Sequence, residues 1–208
     1  MRYRKTYLCL CEGFQEKMYL ERIAFLIRKF PDKVVTFNIL IDSPHRLKKR
    51  YEEYDSAALF DYDYKDVEFR RNIEICDKLN KELKPGNRKS GRHIYHAYSS
   101  VNIDLWLILH KEDYQKSVSS NNSYIPDVRR IYNLKATANI KNKEITRRIL
   151  EQITLEDVRS AIKRADRIRN TKVGMDGEIV GNSVIYENPD FSLHEFLKIV
   201  FIASGDWN

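Results

Sequence analysis

The chain predicts an α/β fold built on a parallel sheet of about four strands flanked by helices. Three observations carry that reading. The apolar run Tyr7-Leu8-Cys9-Leu10-Cys11 ends abruptly in Glu12-Gly13 and passes straight into a helical pattern. A second run, Ala57-Ala58-Leu59-Phe60, ends just as sharply in Asp61-Tyr62-Asp63. Between and after them, β-rich runs alternate with helical faces in the order βαβαβαβ. Crossovers of that length suit parallel pairing, right-handed by default.

In chain order, Lys5–Cys11 reads as a buried strand. Tyr19, Ile23, Leu26, Ile27 and Phe30 mark one face of a helix over Phe14–Phe30, which Pro31 stops. Val34–Ile41, β-branched and apolar, is the second strand. Ser43-Pro44 has the chemistry of an N-cap with proline at the first helical position, opening a basic helix to about Tyr54. Ala57–Phe60 is the third strand. Asp66 caps a helix that buries Phe69, Ile73, Cys76 and Leu83, and Pro85-Gly86-Asn87 ends it. His93–Tyr98 is the fourth strand, followed by a helix over Ile103–His110 and a small, polar loop, Ser117–Ser123. Beyond it only helices are expected: Pro126–Tyr132, Lys143–Glu151, Leu155–Arg169 and Leu193–Ile202, with Lys172–Pro189 as a loop. Two regions follow, a sheet-bearing one over 1–114 and a basic helical extension over 125–208.

Composition narrows the function. Apolar content of 42% supports a real core. No apolar run is longer than that of Leu105–Leu109, far too short to span a bilayer, and the basic amino terminus leads into a strand rather than a cleavage site. The expectation is a cytoplasmic protein with no membrane partner. Cys9, Cys11 and Cys76 lack metal-ligand spacing and read as reduced core thiols. Net charge is +7, and the stretch Ile125–Asn170 alone holds 12 Lys and Arg against 6 Asp and Glu. That concentration points to a polyanionic partner, nucleic acid above all.

If the first and third strands are parallel neighbours, Glu12, Asp61 and Asp63 meet at their carboxyl ends, where open α/β sheets place their chemistry. Clustered carboxylates repel unless a cation lies between them, and oxygen-only ligands suit Mg²⁺ or Mn²⁺. Each residue has a plainer reading too. Glu12 can cap the following helix, Asp61 and Asp63 can stabilise a turn, and Asp66 is explained by capping. Asp104, set among apolar residues in the 103–110 helix, is costly to bury unpaired and needs a donor, a cation or water. An ordinary salt bridge would also serve it. Glu16 lies one helical turn after Glu12 and shares its face. His93, His96 and His110 read as core or surface histidines. On the 155–169 helix, Arg159, Lys163 and Arg167 recur at i, i+4 and i+8 beside the apolar stripe. With Lys141, Lys143, Arg147 and Arg148 upstream, they favour phosphate-backbone contact over a merely solvated face. Tyr62 and Tyr64 flank the acids and are placed either to stack on bases or to pack.

Taken together, Cys11-Glu12-Gly13-x-x-Glu16-x-x-Tyr19, Phe60-Asp61-Tyr62-Asp63 and Ile103-Asp104-Leu105-Trp106-Leu107-Ile108-Leu109-His110 resemble the RloB family. So do Ala161-x-x-Arg164-Ala165 and Asn188-Pro189-x-x-Ser192-Leu193-His194-x-Phe196-Leu197 near the end. The chain departs from that family's usual pattern at Gln15, where threonine is common, and at Ser99-Ser100-Val101, where Ser-Asn-Pro is. It departs again at Asp104, which replaces a glutamate. The resemblance implies a Toprim-type (Rossmann-like) domain, found beside prokaryotic restriction and phage-defence genes. It implies Mg²⁺ held by Asp61 and Asp63, with Glu12 as a further ligand or general acid/base and Asp104 as an additional candidate ligand. The implied activity is metal-dependent hydrolysis of nucleic-acid phosphodiesters. The alternative is a non-catalytic regulatory or nucleic-acid-binding subunit working with an ATPase partner. Other DxD enzymes fit less well: a phosphatase-like enzyme wants its acids after the first strand, and a sugar-nucleotide transferase leaves the basic region unexplained.

Overall fold

A computed structural model of the chain describes residues 3–28, 33–44, 46, 54–82 and 93–207. Strand β1 (Tyr3–Cys11) leads through helix α1 (Phe14–Ile27) to β2 (Lys33–Ile41), then to β3 (Asp55–Asp61), α2 (Asp66–Glu82) and β4 (Ile94–Ser100). These four strands pair in parallel, β1 lying between β2 and β3, with β4 beyond β3. The expected order of the first half is therefore borne out as a mostly parallel α/β sheet. The basic helix expected from Ser43 to Tyr54 falls largely outside the described residues, as do Phe30, Pro31, Leu83 and Pro85–Asn87.

The strands bury both faces, because helices cover the sheet from two sides. Alternation along β1 splits its side chains accordingly. Tyr7, Cys9 and Cys11 join the larger core, while Leu8 and Leu10 face α2 with Phe69, Ile73 and Cys76. All three cysteines are buried and free, and burial pushes each thiol well above its ordinary pKa. Thiols held protonated in this way are packing groups rather than nucleophiles.

The second half holds α3 (Ile103–Leu109), α4 (Ile125–Ile131), α5 (Lys143–Glu151), α6 (Leu155–Lys172) and α7 (Leu193–Ser204). Their apolar stripes converge on the same side of the sheet. Val158, Ala161, Ile162 and Ala165 of α6 share one continuous cluster with Tyr7, Leu59 and Trp106. The 125–208 segment thus packs directly on the sheet built by the 1–114 segment. Among the described residues no helix is long and apolar enough to cross a membrane.

Two expectations for this half are corrected. The stretch 172–189 is not simply a loop: Glu178–Val180 (β5) and Ser183–Ile185 (β6) form an antiparallel hairpin across Gly181-Asn182. Gly181 has φ +61°, and a Cβ there would meet the Asp77 carboxylate at 2.2 Å, so only glycine fits. Nor are the elements beyond the 117–123 loop helices alone. Asp190–Phe191 (β7) pairs antiparallel with Ser99 and Ser100, giving the sheet a fifth strand in the order β2-β1-β3-β4-β7. Asp190 fixes that edge: its buried carboxylate accepts from Arg169 at 2.6 Å, from the Tyr98 hydroxyl at 2.7 Å and from the Tyr186 amide at 3.0 Å. Sheet, helix α6 and the returning strand meet in this one group.

Candidate active site

The carboxyl ends of β1 and β3 lie side by side, Cys11 in register with Leu59. Glu12 follows directly, and its amide continues the pairing by donating to the Leu59 carbonyl at 3.0 Å. Its carboxylate does not cap α1. It reaches across the sheet edge and accepts from the Asp61 amide at 3.2 Å, while Lys65 approaches its other oxygen at 3.8 Å. Position 12 therefore faces position 61, as required if the two are to act together.

Capping falls to Glu16, whose Oε2 folds back to the Gly13 amide at 2.9 Å. Gly13 itself is extended, at φ −138°, a conformation open to any residue. A Cβ there would stand 3.0 Å from Glu16 Oε2, the movable end of that side chain. Folding back buries Glu16 beside Glu12 and Asp104, and burial foremost lifts its pKa to about 7.

Asp61 ends β3. Burial, then the charges of Glu16, Asp63 and Glu12, push its carboxyl well above the usual range, against the Ile103 amide at the head of α3. The chain then turns sharply, the Lys65 amide donating to the Tyr62 carbonyl at 2.8 Å. Asp63 and Tyr64 both sit in the left-handed region, at φ 46° and 55°. Such a conformation costs a non-glycine residue ~1–2 kcal/mol. Contacts to the chain after β4 hold it, with the Tyr62 and Asp63 amides donating to the Val101 carbonyl at 3.1 and 3.0 Å. The strain aims Asp63 back toward Asp61 and Asp104.

Asp104 lies in the first turn of α3, only 1% exposed. Asn102 caps that helix by accepting from the Asp104 amide, but the Asp104 side chain gains nothing from it. Both its carboxylate oxygens, and Asp63 Oδ1, are buried with no hydrogen-bond partner. Among the described residues no direct salt bridge relieves Asp104. Burial raises its pKa to about 6, opposed by the charge of Lys141 and reinforced by that of Asp63.

Lys141 reaches this edge because the turn before α5 is moored to α1: Gln15 donates to the Ile140 carbonyl at 3.4 Å. Lys143 stands over the Phe14 ring at 5.9 Å, on the same side. The other basic residues are placed differently. Arg147 pairs with Glu144 at 2.6 Å and Glu151 at 3.9 Å. Arg167 pairs with Asp113 at 2.7 Å, and Arg159 with Glu156 and the buried Asp206. Arg148 and Lys163 are exposed and make no ion pair among the described residues. The stripe on α6 is thus partly neutralised by acids distant in sequence. Lys65 and Lys141, beside the carboxylates, carry more direct electrostatic influence on the site.

The donor chemistry suits a hard divalent cation: oxygen ligands only, several desolvated, three buried oxygens unpartnered. The spacing is not that of a closed ligand shell. Among the described residues no three His, Cys, Asp or Glu side chains are placed to hold a metal ion together, so the expected set of Glu12, Asp61, Asp63 and Asp104 is not preassembled. Of the three histidines singled out from the sequence, His93 is exposed, His96 is half-buried and His110 is in the core. His110 lies between the Tyr19 hydroxyl at 3.2 Å and the Trp106 carbonyl at 2.8 Å, and burial holds its pKa down to about 4.

Comparison with known proteins adds a family but no activity. Searches of curated proteins and of solved structures return no significant match. A family model described as RloB-like protein matches residues 7–195, a span that runs from β1 into α7 and includes every acid of the sheet edge. The chain belongs to the RloB-like protein family.

Proposed function

We propose that the chain is a divalent-metal-dependent nuclease that hydrolyses phosphodiester bonds in nucleic acid, with a role in antiviral defence. The observation that carries this reading is the set of unpartnered buried oxygens on Asp63 and Asp104 beside Glu12 and Asp61. A folded protein rarely keeps buried carboxylate oxygens without partners unless a ligand completes them. Glu12, Asp61 and Asp63 would hold Mg²⁺ or Mn²⁺, with Asp104 and Glu16 next in reach. A bound divalent ion would supply neutralisation of the charge that develops on the reacting phosphate.

The chain's own groups supply the rest. Glu16 keeps Oε1 free of the Gly13 amide, and a carboxyl titrating near 7 can hold or release a proton under working conditions. Lys65 and Lys141 offset part of the negative charge around Glu12 and Asp104, which otherwise repels a polyanion. Lys143, Arg147, Arg148, Arg159, Lys163 and Arg167 remain the proposed backbone contacts.

The test is a cleavage assay of the purified chain with Mg²⁺ or Mn²⁺ against labelled tRNA, single-stranded and duplex substrates. Cleavage should vanish with EDTA and in Asp61→Asn. If Asp61→Asn cuts as well as the unaltered protein, the site assignment is wrong. The lack of a preassembled ligand shell favours a second reading, a regulatory or nucleic-acid-binding subunit beside an ATPase. Calorimetry that detects no Mg²⁺ or Mn²⁺ binding, together with intact nucleic-acid binding, would decide for it.

A further inference from the structure

We infer that the cavity beside Asp63 holds one unpaired, amino-bearing nucleobase from a single-stranded segment of the substrate. This rests on the nuclease reading and names the substrate class of that same site. The turn that aims Asp63 at the other acids also turns its two neighbours, Tyr62 and Tyr64, into a cavity of about 520 Å³. That volume is in the range of natural small-molecule sites, about 300–1,000 Å³. Tyr62 and Tyr64 lie 5.4 Å apart by ring centroids, and Phe69 lies 5.2 Å from Tyr62. Tyr186 adds a further aromatic ring to the lining, with Arg169 5.2 Å from its centroid. Four of the lining residues are thus aromatic, and an aromatic ring face can stack on any base.

The charged groups select which part of a nucleotide enters. Arg70 is the cation of the lining, and it is taken by Glu178. Asp176 and Glu187 also line the cavity, and neither has an ion pair among the described residues. A surplus of carboxylates repels a phosphate but accepts from N–H groups. Adenine, cytosine and guanine carry an exocyclic amino group that can donate to two carboxylates at once, whereas uracil and thymine offer only their single imide N3–H. In a duplex that amino group is paired and both base faces are stacked, so only an unpaired base satisfies the cavity. Tyr62 and Tyr64, which line the cavity, flank Asp63 in sequence and so tie the cavity to the turn that carries that acid.

A free nucleotide offers the same base, and the experiment separates the two sources. Binding is measured on the full chain in EDTA, by fluorescence anisotropy of labelled adenosine-rich, uridine-rich and duplex oligonucleotides, with AMP as competitor. The adenosine-rich strand should bind best. Tyr64→Ala, and Ser119→Trp as a space-filling block from an exposed turn, should each weaken it by about 5- to 100-fold. Tyr64→Phe, which keeps the ring, should stay within about threefold, and thermal unfolding of each variant checks that it is folded. Unchanged binding in both disruptive variants overturns the inference, as does equal binding of the uridine-rich strand. AMP that binds without being displaced by the oligonucleotide overturns the strand as its source. Base binding in EDTA without cleavage in any metal leaves the cavity assignment standing and sinks the nuclease reading. Metal-dependent cleavage that is indifferent to Tyr64→Ala and Ser119→Trp does the reverse.

Discussion

Asp104 and Asp190 are both buried acids, 1% and 0% exposed, on opposite terms with their surroundings. Asp190 receives an arginine, a tyrosine hydroxyl and a backbone amide. Asp104 receives no hydrogen bond at either oxygen from the described residues. The first is what burial of a charge demands when the charge is structural: the Coulomb attraction and hydrogen bonds offset desolvation. The second is a group left incomplete at the sheet edge, next to Glu12, Glu16, Asp61 and Asp63. The same fold that satisfies one acid fully leaves a cluster of others short of partners, and this contrast locates the candidate site.

The widest gap between the two regions should appear in activity. Asp61→Asn or Glu12→Gln is expected to lower metal-dependent cleavage by at least ~10²-fold, with circular dichroism unchanged. Asp190→Ala is expected to act on the fold instead. It strands Arg169 with its main partner gone and should cost about 3–5 kcal/mol in urea unfolding. A loss below about 1 kcal/mol there would erase the distinction between structural and functional acids.

Asp104→Asn sharpens the contrast from the other side. The folded pKa of Asp104 is about 6 against an ordinary 3.8, so the folded state binds its proton more tightly than the unfolded chain. Its contribution to stability is full below about pH 3.8 and is lost as pH rises through 6. The asparagine variant should therefore be more stable than the parent by about 1–3 kcal/mol at pH 8 without metal, with the gap closing toward pH 4. Denaturant titrations at the two pH values measure it.

His110 should run in the opposite direction by a smaller amount. Its folded pKa is about 4 against an ordinary 6.5, because burial between Tyr19 and Trp106 disfavours the imidazolium. The stability it contributes is complete above pH 6.5 and drains away as pH falls toward 4. Between pH 7 and pH 5 that amounts to about 1–2 kcal/mol. His110→Phe should flatten this part of the profile; an unchanged slope would show that other groups govern it.

Much of this arrangement is legible in the sequence. Abrupt endings of apolar runs in Glu12-Gly13 and in Asp61-Tyr62-Asp63 locate the sheet edge, because buried parallel strands lack polar alternation and stop only where the pocket begins. Asp104 stands out for the same reason, as an acid in an apolar helix. What the sequence hides is long-range. Strand β7 is two residues long, and Asp190-Phe191 has no pattern to announce it. The β5–β6 hairpin did leave a signal, Gly181-Asn182 between β-branched residues, a two-residue turn of the hairpin kind. The basic stripe on α6 reads as uniformly positive because two of its neutralising partners are distant in sequence, Asp206 lying 47 residues from Arg159 and Asp113 lying 54 from Arg167.

The return of Asp190 and Phe191 to the edge of β4 has a consequence for biosynthesis. Four strands can leave the ribosome and pair while that edge is still bare, its amides and carbonyls open to any neighbouring strand. Only when the nascent chain has grown past Phe191 does it seal its own margin, and Arg169, made earlier, then finds the carboxylate it was waiting for. A translation product cut short before this point would keep all the acids of the sheet edge yet carry a sticky border, so premature termination should yield aggregates rather than a folded sheet.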